Sequence, residues 1–141
     1  MANKLINNVA TSRCALVTGA TGYIGSNLVG GLLAEGWQVH VIMRASSSRH
    51  LLAPYLNRIT GHDHDGSVGG MMNILAASKP KVVYHLAAMA SSEHRMENVD
   101  QMVSANVLFS TQLVEAMFRN GTKNLVNTET FWQYSKGAEE Y

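Results

Sequence analysis

The chain is predicted to be an α/β protein: a Rossmann-like, doubly wound parallel sheet in a three-layer α/β/α sandwich that ends soon after its fifth strand. Three observations point there. Short apolar runs alternate with helix-like stretches along the chain. A glycine-rich segment, residues 18–25, lies between the first apolar run and the first helical stretch. The 141 residues, 46% hydrophobic and 15% charged, suit one domain with a buried core.

Each element has a local reason. Residues 14–18, C-A-L-V-T, form a short apolar run that reads as the first strand. Ile24, Leu28, Leu32 and Leu33 then recur at helical spacing, and Gly36 supplies a stop. Gly30 and Gly31 weaken that helix by about 1 kcal/mol each relative to Ala, which points to close packing on a neighbour. Residues 38–43, Q-V-H-V-I-M, are the second strand, followed by a serine-rich loop at 45–50 and a stretch at 51–56 broken by Pro54. Residues 58–62 read as a third strand, 62–70 as a loop and 71–78 as a helix. Pro80 precedes a fourth strand, K-V-V-Y-H-L at 81–86. Val103, Val107, Val114 and Met117 fall on a long helix that ends near Asn120 and Gly121, and 123–127 is a fifth strand. The expected strand order is 3-2-1-4-5, with a ligand site at the carboxyl ends of the strands, between the first and the fourth.

Composition excludes several classes of function. The formal net charge of +1 gives no basic excess for nucleic acid or an anionic membrane surface. The single cysteine, Cys14, excludes an internal disulfide and a multi-cysteine zinc site. No apolar run approaches the ~18 residues of a membrane helix. The first ten residues lack the apolar core of a signal peptide, so a cytoplasmic protein is expected. His62, Asp63, His64 and Asp65 resemble a metal cluster by residue type, but no metal site is expected there.

Residues 18–25 read T-G-A-T-G-Y-I-G, with glycines at 19, 22 and 25 between a predicted strand and a predicted helix. In that context Gly19 allows a tight turn, Gly22 lets a pyrophosphate approach bare backbone, and Gly25 permits close helix–strand packing. The free N–H groups and dipole of the helix start favour the phosphates. No Gly-Lys-Ser/Thr follows, which disfavours a P-loop. Gly19, Thr21, Gly22, Tyr23, Ile24 and Gly25 are thus candidate dinucleotide-binding residues. An NAD site usually carries an acid at the end of the second strand. Here Met43 and Arg44 stand there. Arg44 could pair with a 2′-phosphate, with serine hydroxyls such as Ser46 adding donors. It could also solvate the loop or stack on adenine. The cofactor expected is NADP, with NAD as the alternative.

These residues resemble the extended short-chain dehydrogenase/reductase family, also called the NAD-dependent epimerase/dehydratase family, over about residues 13–132. The resemblance implies that Asp63, with His64 beside it, meets the adenine. It implies that H-L-A-A at 85–88 (Leu86, Ala87, Ala88), followed by Met89, lines the ribose and nicotinamide. Asn106 matches a helix asparagine near the cofactor, and Thr128 the catalytic Ser/Thr, with Glu129 and Thr130 following it towards the substrate. The segment at 127–133, with 105–117 upstream, is most similar to the nucleotide-sugar reductases typified by CDP-abequose and CDP-paratose synthases. That implies hydride transfer to a 4-keto sugar on a nucleotide, and a homodimer of the full-length protein built through the helix carrying Asn106. The family's Tyr-x-x-x-Lys pair is absent from the 141 residues and is expected beyond Tyr141, so the chain alone is expected to bind cofactor without turnover. The alternatives are an epimerase or dehydratase of the same family, and a non-catalytic dinucleotide-binding module.

Overall fold

The computed structural model describes residues 13–91, 93 and 95–129. Five parallel strands are joined by crossover segments in the order β3-β2-β1-β4-β5. They are β1 (Cys14–Thr18), β2 (Gln38–Met43), β3 (Ile59–Asp63), β4 (Val82–His85) and β5 (Leu125–Asn127). Helix α1 (Tyr23–Ala34) crosses from β1 to β2, and α2 (Val68–Ser78) from β3 to β4. The last crossover is one long helical stretch, α3 (Val99–Val103) and α4 (Phe109–Arg119), joined by a π-helical turn at Ser104–Leu108.

Strand alternation divides the core in two. Ala15 and Val17 of β1 and Val39, Val41 and Met43 of β2 pack on Val29, Leu32 and Leu33 of α1. Leu16, Ile42 and Val83 face the opposite way, onto Met71, Ile74 and Leu75 of α2 and Leu113, Ala116 and Met117 of α4. Every residue of β1 is buried, as a central parallel strand covered on both faces requires. The first two strands match their predicted bounds; the third, the fourth and the fifth are shifted or trimmed at their ends.

Helix termini follow their local chemistry. Gly36, at φ +77°, ends α1, with the Trp37 N–H donating to Leu32 O at 3.0 Å. Ser67 caps α2 by accepting from the Gly70 N–H at 2.9 Å. Lys79, at φ +44°, ends α2 immediately before Pro80. Gly121 does the same for α4.

Four details go beyond or differ from the sequence expectation. The buried face of α1 is Gly25, Ser26, Val29, Leu32 and Leu33, while Ile24 is 67% exposed. Only Gly30 is closely packed, since a Cβ there would meet the Tyr55 ring; Gly31 faces open space. Pro54 lies inside a 3₁₀ helix, His50–Tyr55, rather than breaking one. Val103, Val107 and Val114 do lie on the long helix, but they and Phe118 form its exposed side.

Candidate dinucleotide site

The site is built where β1 passes into α1. Gly19 has φ +68°, a left-handed conformation that favours glycine, and a Cβ there would lie 2.6 Å from the Leu86 carbonyl carbon and 2.7 Å from the Ala87 nitrogen. A Cβ on Gly25 would collide with the Gly19 carbonyl oxygen. Both positions are therefore glycine because the chain's own backbone fills the space. Gly22 is different. Its Cβ would meet only Gly19 O, at an ordinary 3.4 Å, and its φ of −84° suits any residue. The protein's own packing does not demand glycine there; an approaching ligand would.

Gly22 is also the N-cap of α1, and no side chain caps that helix. Among the described residues no side chain accepts from its first-turn N–H groups, whereas on α2 the Ser67 side chain does. The turn opens on a cleft of about 300 Å³ lined by Gly19, Gly22, Tyr23, Ile24, Gly25, Leu86 and Thr128. Tyr23 and Ile24 present exposed side chains at its edge. Thr21 is half-buried in the turn itself. A second hollow of about 350 Å³, bordered by Lys79, Pro80 and Asn120, lies at the amino end of the sheet, away from the carboxyl ends where α/β sheets bind ligands. Bare backbone, an uncapped helix start and an adjoining cleft fit the pyrophosphate of a dinucleotide.

The far wall is the segment after β4. Thr18 Oγ1 lies 2.7 Å from His85 Nδ1, and His85 Nε2 lies 2.9 Å from Ser110 Oγ on α4. The Ala87 N–H donates to Thr18 Oγ1 at 3.1 Å. The Nε2–H tautomer satisfies the set: Thr18 donates to Nδ1 and Nε2–H donates to Ser110. Burial lowers the His85 pKa below the ordinary imidazole value of 6.5 and favours this neutral form. His85 is thus a buried, doubly bonded histidine that fixes the Leu86–Ala87 backbone over Gly19.

Asn106 acts on the same segment. Its Oδ1 accepts from the Met89 N–H at 2.8 Å, and its Nδ2 donates to Met89 O at 2.9 Å. The resemblance places Asn106 near the cofactor; here its amide clamps Met89, beyond the exposed Ala88. The π-turn that carries Asn106 is a common device at functional sites. Thr128 follows β5, and its hydroxyl donates to His85 O at 3.2 Å while its oxygen keeps lone pairs at the cleft. Glu129 is exposed beside it, and residues 130–133 lie outside the described residues.

The four residues His62 to Asp65 separate rather than converge. The His62 Nε2 lies 2.8 Å from the His40 Nδ1 on β2, Asp63 meets Arg49, the His64 Nε2–H donates to Ser67 O, and Asp65 accepts from the Ser67 N–H and hydroxyl. Strand alternation and the turn into α2 send them apart, and no group of three or more metal-ligating side chains assembles among the described residues. Asp63, expected against adenine, already has Arg49 as a partner at 3.1 Å, with its second oxygen left over. Arg44 and Ser46 are exposed in the loop after β2. Sequence reasoning missed Thr18, Ser110 and Arg49. Only Thr18 carried a signal, as a hydroxyl ending an otherwise apolar strand.

The chain is similar in sequence and fold to known proteins. UDP-glucose 4-epimerase of Mycolicibacterium smegmatis is 34% identical over 121 residues, covering 82% of this chain and 38% of that protein. GDP-mannose 4,6-dehydratase of Vibrio cholerae is 32% identical over 131 residues, covering 86% and 34%. The crystal structure of Thermus thermophilus UDP-glucose 4-epimerase in complex with NAD superposes with a TM-score of 0.69 at 30% identity, covering 79% of this chain and 35% of that one. The chain therefore spans little more than a third of the length of these relatives. Among the described residues no helix is long and apolar enough to cross a membrane. Residues 15–141 match the NAD dependent epimerase/dehydratase family, and the chain belongs to that family.

Proposed function

We propose that residues 1–141 form the dinucleotide-binding part of an NAD(P)-dependent enzyme acting on a nucleotide-linked sugar. The carrying observation is the glycine turn, where Gly19 and Gly25 are required by the fold and Gly22 is left open to a ligand. In this reading the backbone N–H groups of Tyr23, Ile24 and Gly25 hold the pyrophosphate, and Leu86, Ala87, Ala88 and Met89 border the ribose and nicotinamide. A bound nicotinamide supplies or accepts a hydride. Thr128 orients the reacting sugar oxygen through its hydroxyl. Thr18, His85, Ser110 and Asn106 hold the wall of the site rigid. The chain alone binds the coenzyme without turnover, because it contains no Tyr-x-x-x-Lys pair to move the proton.

The preferred chemistry is reduction of a 4-keto sugar with NADPH, of the type of CDP-abequose and CDP-paratose synthases. Arg44 after β2 supports it: its guanidinium has no ion-pair partner among the described residues and suits a 2′-phosphate. Epimerisation or dehydration with NAD is the second reading, favoured by the named relatives and by the NAD in the Thermus structure. Titration with NADPH and NADH by nicotinamide fluorescence tests the first. The Arg44→Asp variant should lower the NADPH-to-NADH affinity ratio by at least about ten-fold, since charge-assisted bonds of this kind are worth roughly 1.5–3 kcal/mol. An unchanged ratio refutes the 2′-phosphate assignment.

A further inference from the structure

The amino edge of the sheet, at the end away from the glycine turn, gathers cations. Arg13, Arg58 and Lys81 stand immediately before β1, β3 and β4, with Lys79 closing α2 just ahead of them and Lys123 preceding β5. The two arginines are already engaged. The Arg13 guanidinium lies 6.0 Å from the centre of the Trp37 ring, and Arg58 Nη2 donates to Leu33 O in the last turn of α1 at 3.1 Å. The three lysines are exposed, and among the described residues none of them has an ion-pair partner.

The register gathers these lysines on one face. Val83 pairs with Leu125, so Lys81 and Lys123, each two residues earlier, lie level on neighbouring strands, about 4.8 Å apart along the backbone. Strand alternation puts both on the side of Val83, which α2 and α4 cover. On that side the hollow of about 350 Å³ lies between the ends of the two helices. Leu75, Ala76 and Pro80 give it an apolar wall, and Lys79, Asn120 and Thr122 border it. The Asn120 amide is already used, donating to Ala116 O at 2.9 Å. The acids near this end do not offset the lysines: Glu35 closes α1 on the opposite face, and Glu115 is paired with Arg119.

This arrangement selects among anions. The hollow sits at two helix C-termini, the negative ends of their dipoles. A compact phosphate inside it would meet that field, so negative charge is favoured at the rim, where the lysine heads reach. Lysine is a point charge on a flexible stem, suited to separate carboxylates rather than to one planar fork. No aromatic side chain lines the hollow, so it offers no platform on which bases stack.

We propose that this edge is an interaction surface for an acidic, extended protein segment. One apolar side chain of the segment enters the hollow, and carboxylates on either side of it meet Lys79, Lys81 and Lys123. The surface lies at the opposite end of the sheet from the glycine turn and does not depend on the dinucleotide reading.

Fluorescence anisotropy of this chain at about 50 mM salt tests it. The probes are a labelled peptide of four glutamates around one leucine, and the same peptide with glycine in place of the leucine. The leucine peptide should bind at least about five-fold more tightly, through the hollow. The Lys81→Gln/Lys123→Gln variant should bind it about ten-fold more weakly with an unmoved thermal midpoint. Ala76→Phe, at an exposed position, should fill the hollow and make the two peptides bind alike. Arg13→Gln/Arg58→Gln should leave both affinities unchanged. If the lysine variant does not fold, Ala76→Phe decides by itself. The proposal fails if neither peptide binds, if the two bind the wild type alike, or if the arginine variant loses as much affinity as the lysine variant. It also fails if a single-stranded oligonucleotide or a phosphatidylserine vesicle binds more tightly than the leucine peptide at the same salt.

Discussion

Replacing Gly22 with alanine separates a glycine kept for a ligand from one kept for the fold. The added methyl would meet one protein atom, Gly19 O at 3.4 Å, which is ordinary van der Waals contact. The backbone there is extended and accepts alanine without strain. Two small effects on stability oppose each other. Alanine is a poorer N-cap than glycine, by about 1 kcal/mol or less. It also restricts the unfolded chain, which stabilises by about 0.4–1 kcal/mol. The net change should lie within about 1 kcal/mol, a thermal shift of a few degrees at most for a domain of this size. Coenzyme binding should fall much further. The methyl stands where the phosphates must approach, and losing one or two charge-assisted hydrogen bonds costs roughly 2–4 kcal/mol, or about 30- to 1,000-fold in affinity. Gly25→Ala is the contrasting control. Its Cβ would lie 2.7 Å from the Ala20 Cα and 2.8 Å from the Gly19 carbonyl carbon, backbone atoms that cannot give way. It should cost about 1–3 kcal/mol of stability or more. Differential scanning fluorimetry and nicotinamide fluorescence titration measure both quantities. A stable Gly22→Ala variant with wild-type coenzyme affinity would refute the ligand argument.

Two further outcomes follow from the same structure. His40, His62 and His85 all have pKa values lowered by burial from the ordinary 6.5, with His62 adding to the effect on His40. The unfolded chain then binds more protons than the folded one below about pH 6.5, so stability is complete above that value and declines as pH falls through it. Thermal midpoints at pH 7.5 and 5.5 should differ in that sense, and His62→Gln should reduce the difference. Equal midpoints would contradict the burial argument. Val103, Val107, Val114 and Phe118 are each at least 52% exposed on one side of the long helix, an apolar stripe suited to a second copy of the chain. Sedimentation equilibrium should show self-association that Val107→Glu abolishes without lowering the thermal midpoint; a monomeric wild type would refute the dimer.

The strand order and the cofactor turn were legible because they rest on local information. A parallel α/β topology follows from the alternation of apolar runs with helical stretches, and the turn from three glycines between strand and helix, two of which neighbouring backbone requires. Asn106 shows where this legibility ends. The family resemblance placed it near the cofactor; only the fold shows that its amide bonds the Met89 backbone, 17 positions away. The pairing of Asp63 with Arg49, 14 positions away, was likewise decided by the fold. Ile24 matched the helical period, yet the buried face of α1 begins at Gly25, because the close approach at Gly19 sets the angle at which the helix leaves the strand.

By itself, then, the order of residues determined the layers, the strand sequence and the bare backbone corner, since these depend on periodicity and on which residues tolerate which dihedrals. Only the tertiary structure decided how the polar groups pair. Thr18, His85 and Ser110 come from three elements, separated by 67 and 25 positions. Whether a hydroxyl or imidazole is spent inside the protein or left for a ligand depends on what the fold brings within 3 Å of it, and chain order does not encode that distance.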